Sequence, residues 1–287
     1  MSSPNERFRL AMAEAGLEAP DTIQDDGEIH RVNASGRRGD ASGWYVFNSD
    51  GIAAGTFGDW RRDFKQDWCA KSDQTMTAAE RNAHRQRVKA MRAQRDADTA
   101  ERQRLAADTA TMLLAKSEQA GDDHPYLARK GVTAHGIKEF GDNLLIPMRD
   151  TTGKVHSLQS IDPAGNKLFH PGGRVKGCYF GIGKPNGTLI VCEGFATGAS
   201  INMATGQAVA VAFNAGNLEA VALALRTKYP ALKLVIAADD DHLTAGNPGM
   251  VKATAAASAV GGLLATPTFP AGRGDKDTDF NDLHRIA

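Results

Sequence analysis

From Thr188 onward, apolar runs of strand length alternate with segments of helix length, and no other feature restricts the fold as severely. The alternation reads as strand Thr188 to Cys192, helix Phe195 to Ala204, strand Ala208 to Phe213, helix Asn217 to Lys228, strand Lys233 to Ala238, helix Pro248 to Val260 and strand Leu263 to Thr268. Strand, helix and strand in one sheet make right-handed crossovers, so the expected fold is α/β, with a parallel sheet flanked by helices. In such open sheets ligands bind beyond the carboxyl ends of the strands.

Acidic residues therefore matter by position. The run Leu189-Ile190-Val191-Cys192 ends in Glu193-Gly194, and Leu234-Val235-Ile236-Ala237-Ala238 ends in Asp239-Asp240-Asp241. In extended backbone Asp239 and Asp241 share one side, so with Glu193 they surround one point. Taken singly, each reads as a helix cap. Taken together, three uncompensated carboxylates repel each other unless protons or a hard divalent cation neutralise them, and Mg²⁺ or Mn²⁺ is the natural partner. Gly194, Asn214 and Gly216 fall on the same sheet edge and read as pocket lining. His124, His135, His156 and His170 lack metal-ligand spacing and read as structural or surface residues.

Upstream, four segments are expected in all. Residues 1–76 hold a helix with Phe8, Met12, Ala15 and Leu17 near helical spacing, ending at Pro20, and then a β-meander over Glu28 to Val32, Trp44 to Phe47 and Ile52 to Phe57. In so small a meander Trp44, Tyr45 and Phe47 read as core more readily than as base-stacking residues. Residues 77–121 form a helical connector: 77–118 contain no Gly or Pro, Thr77 and Glu80 make a capping box, and Val88, Met91 and Leu105 are too sparse for a buried stripe. Residues 122–187 read as a small α+β unit, with a helix stopped at Gly131 and strands Leu144 to Met148, Val155 to Ile161 and Lys167 to Phe169. Residues 188–287 are the α/β domain.

Apolar residues at 41% and charged residues at 24% exclude a disordered or fibrous chain. No apolar run approaches the roughly 18 residues of a membrane span, and the start of the chain lacks a signal pattern, so a cytoplasmic protein without a membrane partner is expected. Cys69, Cys178 and Cys192 are widely spaced, which excludes a disulfide scaffold and a cysteine-built zinc ribbon; no zinc is expected. The formal charge is zero overall but uneven: −4 over 1–76, +3 over 77–120, +3 over 121–192 and −2 over 193–287.

The Glu193-Gly194 element and the Asp239-Asp240-Asp241 element, each after an apolar strand, resemble the Toprim domain shared by bacterial-type primases, topoisomerases and some nucleases. Residues 124–183, with Tyr126-Leu127 before Lys130-Gly131, then Ile146-Pro147 before Arg149-Asp150, then Lys167 and Phe169, resemble the primase segment that precedes Toprim. Asp279-Phe280-Asn281-Asp282-Leu283 resembles the closing motif of the plasmid and phage (mobile-element) branch, and residues 43–61 resemble that branch's N-terminal segment. The resemblance implies a Toprim sheet preceded by an α+β primase subdomain, a helical connector and an N-terminal meander. It also implies synthesis of RNA primers on single-stranded DNA from NTPs.

Carried over by position, Glu193 is expected to be the acid/base or metal-organising carboxylate, with Asp239 and Asp241 as catalytic metal ligands. Asp279 or Asp282 supplies a further carboxylate, and Arg149, Lys167, Arg174 and Lys176 hold template or nucleotide phosphates. Gly181-Ile182-Gly183-Lys184-Pro185 lacks the phosphate-loop spacing, so the helicase is expected to be a separate partner.

Two other classes of function compete. One is a Toprim nuclease or a strand-breaking enzyme of the topoisomerase or recombination type; a topoisomerase needs a nucleophilic tyrosine in a further DNA-gripping domain, and Tyr45, Tyr126, Tyr179 and Tyr229 lie in segments explained by the fold. A non-catalytic single-strand-binding accessory factor predicts a damaged carboxylate set, and the set is intact. The charge of −4 over 1–76 suggests a poor DNA grip, so that segment is expected to pack on the core or dock a partner, with Arg37 and Arg38 left as a local contact.

Overall fold

The computed structural model describes residues 2–34, 39–62, 64–71 and 76–286. Arg37 and Arg38 lie outside them. The chain forms two compact units, Met1–Asp96 and Ala97–Ala287.

In the first unit, helix α1 (Pro4–Glu14) starts with a Ser3–Glu6 capping box and Pro4 at its first turn, and buries Phe8 and Met12. It ends at Glu14, earlier than the spacing predicts, because Gly16 turns the chain at φ +78° and Leu17 pairs with Ala34 instead. The meander has four strands, β1 (His30–Val32), β2 (Gly43–Asn48), β3 (Ala54–Asp59) and β4 (Phe64–Cys69), antiparallel in chain order. The fourth was not legible, since Phe64-Lys65-Gln66-Asp67 carries one apolar residue in four. Phe8, Met12, Tyr45, Phe47 and Phe57 form the core on one face.

Helix α2 (Ala78–Lys116) runs 39 residues from the expected Thr77–Glu80 box, where the Glu80 amide donates to Thr77 Oγ1 at 3.2 Å. Its C-terminal part is not the solvated connector that its composition suggests. Ala106, Ala107 and Ala110 are buried, and Ala110 packs with Leu145 and Leu158. Leu113 and Leu114 of the same helix pack against that cluster, and the buried alanines let the helix approach closely.

In the second unit, strands β5 (Glu118–Gln119), β6 (Lys138–Phe140), β7 (Asn143–Arg149), β8 (Val155–Ile161) and β9 (Lys167–Phe169) form an antiparallel sheet in that order. Helix α3 (Pro125–Lys130) lies between β5 and β6, starts on the His124 side chain and stops at left-handed Gly131.

The α/β domain follows, with strands β10 (Phe180–Ile182), β11 (Thr188–Cys192), β12 (Ala208–Val211), β13 (Lys233–Ala237) and β14 (Leu263–Ala265). Its helices are α4 (Phe195–Thr205), α5 (Leu218–Lys228), α6 (Pro248–Val260) and α7 (Phe280–Ile286). The sheet order is β10-β12-β11-β13-β14, parallel except for β10. Side-chain parity sorts the two faces. Leu189, Val191, Leu234 and Ile236 bury against α5 and α6, whereas Cys192, Val209, Val211 and Ala237 join the core containing α4 and the preceding α+β unit. β11 leads to one neighbour, β12, and the chain then crosses to the other, β13. The ends of β11 and β13 are thus the topological switch point at which such sheets bind ligands.

Candidate active site

β11 and β13 pair in parallel with Val191 opposite Ile236, so Glu193 and Asp239 leave the sheet from adjacent strand ends. The backbone of Asp239, Asp240 and Asp241 stays extended enough to alternate. Asp240 turns into an ion pair with Arg273 at 2.5 Å and accepts from Asn247 Nδ2 at 2.7 Å. Asp239 instead enters the pocket, where Glu193, Asp279 and Asp241 all act on it. Burial first, then those three carboxylates, push Asp239 up to about 8. Glu193 is raised by burial and by Asp241, against the opposing pull of Lys167. Cys192, fully buried below them, is raised by burial and then by Asp239, Asp279 and Glu193.

Asp241 sits where the start of α6 closes on the strand end. Its Oδ2 accepts from the Gly249 amide at 3.2 Å, and a Cβ at Gly249 would lie 2.7 Å from the Asp239 carbonyl. Asp279 caps α7, accepting from the amides of Asn281 (2.8 Å) and Asp282 (2.9 Å), and its Oδ2 also accepts from Thr197 Oγ1 at 2.9 Å. Asp282 closes the capping box, accepting from the Thr278 amide at 3.0 Å, and stands 3.8 Å from Lys130 Nζ. The structure therefore brings Glu193, Asp239, Asp241 and Asp279 together, while Asp282 is committed to the helix start.

The basic residues divide. Lys167 is exposed along its stem, but its ammonium reaches across Gly194, where a Cβ would come within 3.9 Å of Nζ. Desolvation of that charged head lowers its pKa, Lys130 adding to the effect and Asp279, Glu193 and Asp239 opposing it. Phe169, two residues on, meets Phe213 edge-on at 6.4 Å, fixing β9 over the sheet edge. Arg174 leans on Asp150 at 3.4 Å, beside the 2.7 Å contact of His156 with the same carboxylate. Against the opposing effect of burial, the Thr152 hydroxyl, then the His156 imidazole and the Thr152 amide hold Asp150 well below the usual carboxylate range. The Arg149 guanidinium donates to the Gly153 carbonyl at 2.9 Å, and Lys176 is exposed. Only Lys167 of the four stands in the carboxylate cluster.

At the end of β12 the chain turns sharply. Phe213 adopts φ +73°, a costly conformation for a bulky residue, while its amide donates to the Glu193 carbonyl at 2.8 Å. The following turn of Asn214 and Gly216 brings the Ala215 amide to the Glu193 carboxylate. Asn217, buried there, accepts from the Gly177 amide at 2.8 Å and donates to the carbonyls of Cys178 and Ala212, tying the Arg174–Lys176 loop to this edge.

Residue patterns did not reveal three supports of the pocket: Thr197, Arg273 and Asn281. The last is fully buried, donating to the Lys130 carbonyl at 2.7 Å and to Ser200 Oγ at 2.9 Å. An asparagine between two acids in a closing helix was the available signal.

Among the described residues, no three His, Cys, Asp or Glu side chains stand close enough to enclose a metal. Mg²⁺ needs no such cage, since it keeps several waters and takes one or two carboxylates plus substrate phosphates. The donors present fit that habit. They are hard oxygens, and Asp239 Oδ1 is buried with no hydrogen-bond partner among the described residues.

Residues 188–287 match the family described as the Toprim domain. Over 264 residues, 86% of this chain, the sequence is 34% identical to a DNA primase TraC of Escherichia coli, of which the match covers 24%. A second Escherichia coli protein of that name is 34% identical over 289 residues, which is 93% of this chain and 20% of the relative. The chain thus spans a quarter or less of the curated relatives it matches. Among solved structures, the DnaG catalytic core superposes with a TM-score of 0.43 at 14% identity, covering 64% of this chain and 76% of that one.

Proposed function

We propose that this chain, whose residues 188–287 are a Toprim domain, is the catalytic part of a cytoplasmic DNA primase that joins NTPs into short RNA primers on single-stranded DNA of a mobile element. The single observation that carries the reading is the convergence of half-buried, mutually repelling Glu193, Asp239, Asp241 and Asp279 at the switch point of the sheet. The name DNA primase, borne by the curated relatives, agrees with it. Among the described residues no helix is long and apolar enough to cross a membrane.

In this reading Asp239 and Asp241 hold the divalent cation, Mg²⁺ or Mn²⁺, and Asp279 completes the negative field. The bound cation lowers the pKa of the primer 3′-hydroxyl and screens the triphosphate. Glu193, whose carboxylate is made a stronger base by the burial that raises its pKa, accepts the hydroxyl proton in its ionised form as the oxygen attacks the α-phosphorus and pyrophosphate leaves. Lys167 turns its ammonium from the carboxylates to the incoming triphosphate, a small movement for a side chain already over the site. Lys176 and Arg174, on the loop tied to Asn217, take template or nucleotide phosphates at the same edge, and Arg149 supports that loop through its backbone pairing with Tyr179. Residues 122–187 serve as the α+β primase subdomain and a separate helicase supplies unwound template.

Incubation of the chain with labelled NTPs, Mg²⁺ and single-stranded templates of varied sequence tests this reading. Short oligomers whose sequence follows the template are expected. Cleavage of the template without synthesis would assign the site to a Toprim nuclease instead.

A further inference from the structure

The four-stranded sheet of the first unit has one closed face and one open face. Tyr45, Phe47 and Phe57 point into the core against α1, and that core closes without Trp44 or Trp60. The alternate residues point the other way. Register puts Arg31 opposite Trp44, Trp44 opposite Gly58 and Gly58 opposite Lys65, so these four form one row across all four strands. Gly58 gives the indole room to lie on the sheet, since a Cβ there would sit 3.0 Å from Trp44 Cε2 and Cζ2. Trp60 stacks on Trp44 with centroids 5.6 Å apart and planes 25° from parallel. The Arg31 guanidinium carbon is 4.9 Å from the Trp60 centroid. Trp60 is nonetheless 49% exposed.

Beside this row runs a groove of about 740 Å³, with Trp44 and Lys65 on its sheet side and Arg92 and Arg95, both exposed, on its α2 side. Three acids also line it: Asp50 lies 3.6 Å from Arg87, Asp67 accepts from Thr56 Oγ1 at 2.7 Å and lies 3.9 Å from exposed Lys65, and Asp96 is exposed at the α2 side. The charge of −4 over 1–76 conceals this polarity, because seven of the thirteen acids fall between Glu6 and Glu28, on α1 and the segment after it.

We propose that this open face binds single-stranded DNA, unpaired bases stacking on Trp60 and Trp44 while phosphates meet Arg31, Lys65, Arg92 and Arg95. Exposed rings beside a basic groove are the means by which proteins hold unpaired strands without reading sequence. The expectation that 1–76 grips DNA poorly is thereby revised, since the sum of charges says nothing of their sides. The proposal deepens the primase reading and rests on it only for what the strand is for; binding itself needs neither nucleotide nor metal.

The test is fluorescence anisotropy of a labelled twelve-nucleotide oligo(dT) with the full chain, without NTPs or divalent cations. Trp60→Ala is expected to weaken binding about 5- to 100-fold, the range for loss of one stacked base, and Trp60→Tyr to restore most of it. Arg92→Glu with Arg95→Glu, on an exposed helix face that tolerates the change, is expected to weaken binding and lower the logarithmic salt slope by about 1.4. A duplex of equal length is expected to compete poorly. Wild-type affinity in both Trp60→Ala and the double reversal would overturn the proposal, as would equal competition by the duplex. Unchanged oligo(dT) binding by Asp239→Asn alongside lost synthesis would support both readings. Full synthesis by Asp239→Asn with lost binding by Trp60→Ala would remove the carboxylate reading alone.

Discussion

The carboxylate pocket after β11 and β13 and the tryptophan face of β1–β4 are built from opposite materials on one logic. The pocket buries charges that prefer water, and the meander exposes rings that prefer burial. Each arrangement costs free energy in the isolated chain, and each is relieved by a different ligand. Crowded carboxylates are satisfied by a compact cation, so the pocket should respond to pH and divalent metal. Uncovered indoles flanked by guanidinium groups are satisfied by flat bases strung on phosphates, so the face should respond to monovalent salt and to strand state. The lesson is that a site is marked by the kind of dissatisfaction it stores, and that the kind names the ligand class.

The sharpest way to break this division is to neutralise the pocket. Asp239→Asn and Asp241→Asn should each lower templated synthesis by roughly 10³-fold, the scale of several kcal/mol of lost charge stabilisation, without loss of fold by circular dichroism. Trp60→Ala should leave synthesis within about twofold at saturating template while raising the template concentration needed by about tenfold. A comparable loss of maximal rate in both variants would merge the two regions into one function.

Two smaller effects sharpen the contrast. Gly198→Ala in α4 would place a Cβ 2.8 Å from Val211 and 3.0 Å from Cys192 Sγ, and should cost about 1–3 kcal/mol in urea unfolding without altering oligo(dT) affinity. Gly58→Ala, whose Cβ would collide with the Phe64 carbonyl and crowd Trp44, should reduce both stability and oligo(dT) affinity.

The smallest effect is the pH dependence. Because the folded pKa of Asp239 is about 8 and its ordinary value is 3.8, the folded state holds a proton that the unfolded state releases across this interval. Metal-free protein should therefore lose stability as pH rises from about 4 to about 8, and Asp239→Asn should melt a few degrees higher than wild type at pH 8. Identical pH profiles for the two proteins would show that Asp239 is not strained by its neighbours.

Much of the pocket was legible before any coordinates. Strand ends follow from apolar runs, and alternation sets Asp239 and Asp241 apart from Asp240, which Arg273 holds. Two supports were not legible, because Thr197 and Asn281 act through contacts 82 and 151 residues distant in sequence. The meander face was hidden for a related reason. Trp44 alternates with core residue Tyr45 on one strand, but only cross-strand register sets Arg31, Gly58 and Lys65 beside it. Likewise, the fully buried positions of α2 are alanines, so only Leu113 and Leu114 at its end mark where it meets Leu145 and Leu158.

The central claim is that the carboxylates converge to hold a divalent cation, and Mn²⁺ titration followed by electron paramagnetic resonance tests it most directly. Wild type and Trp60→Ala should bind Mn²⁺ alike, with Mg²⁺ competing, while Asp239→Asn loses at least tenfold in affinity. Equal Mn²⁺ binding by Asp239→Asn and wild type would contradict the claim.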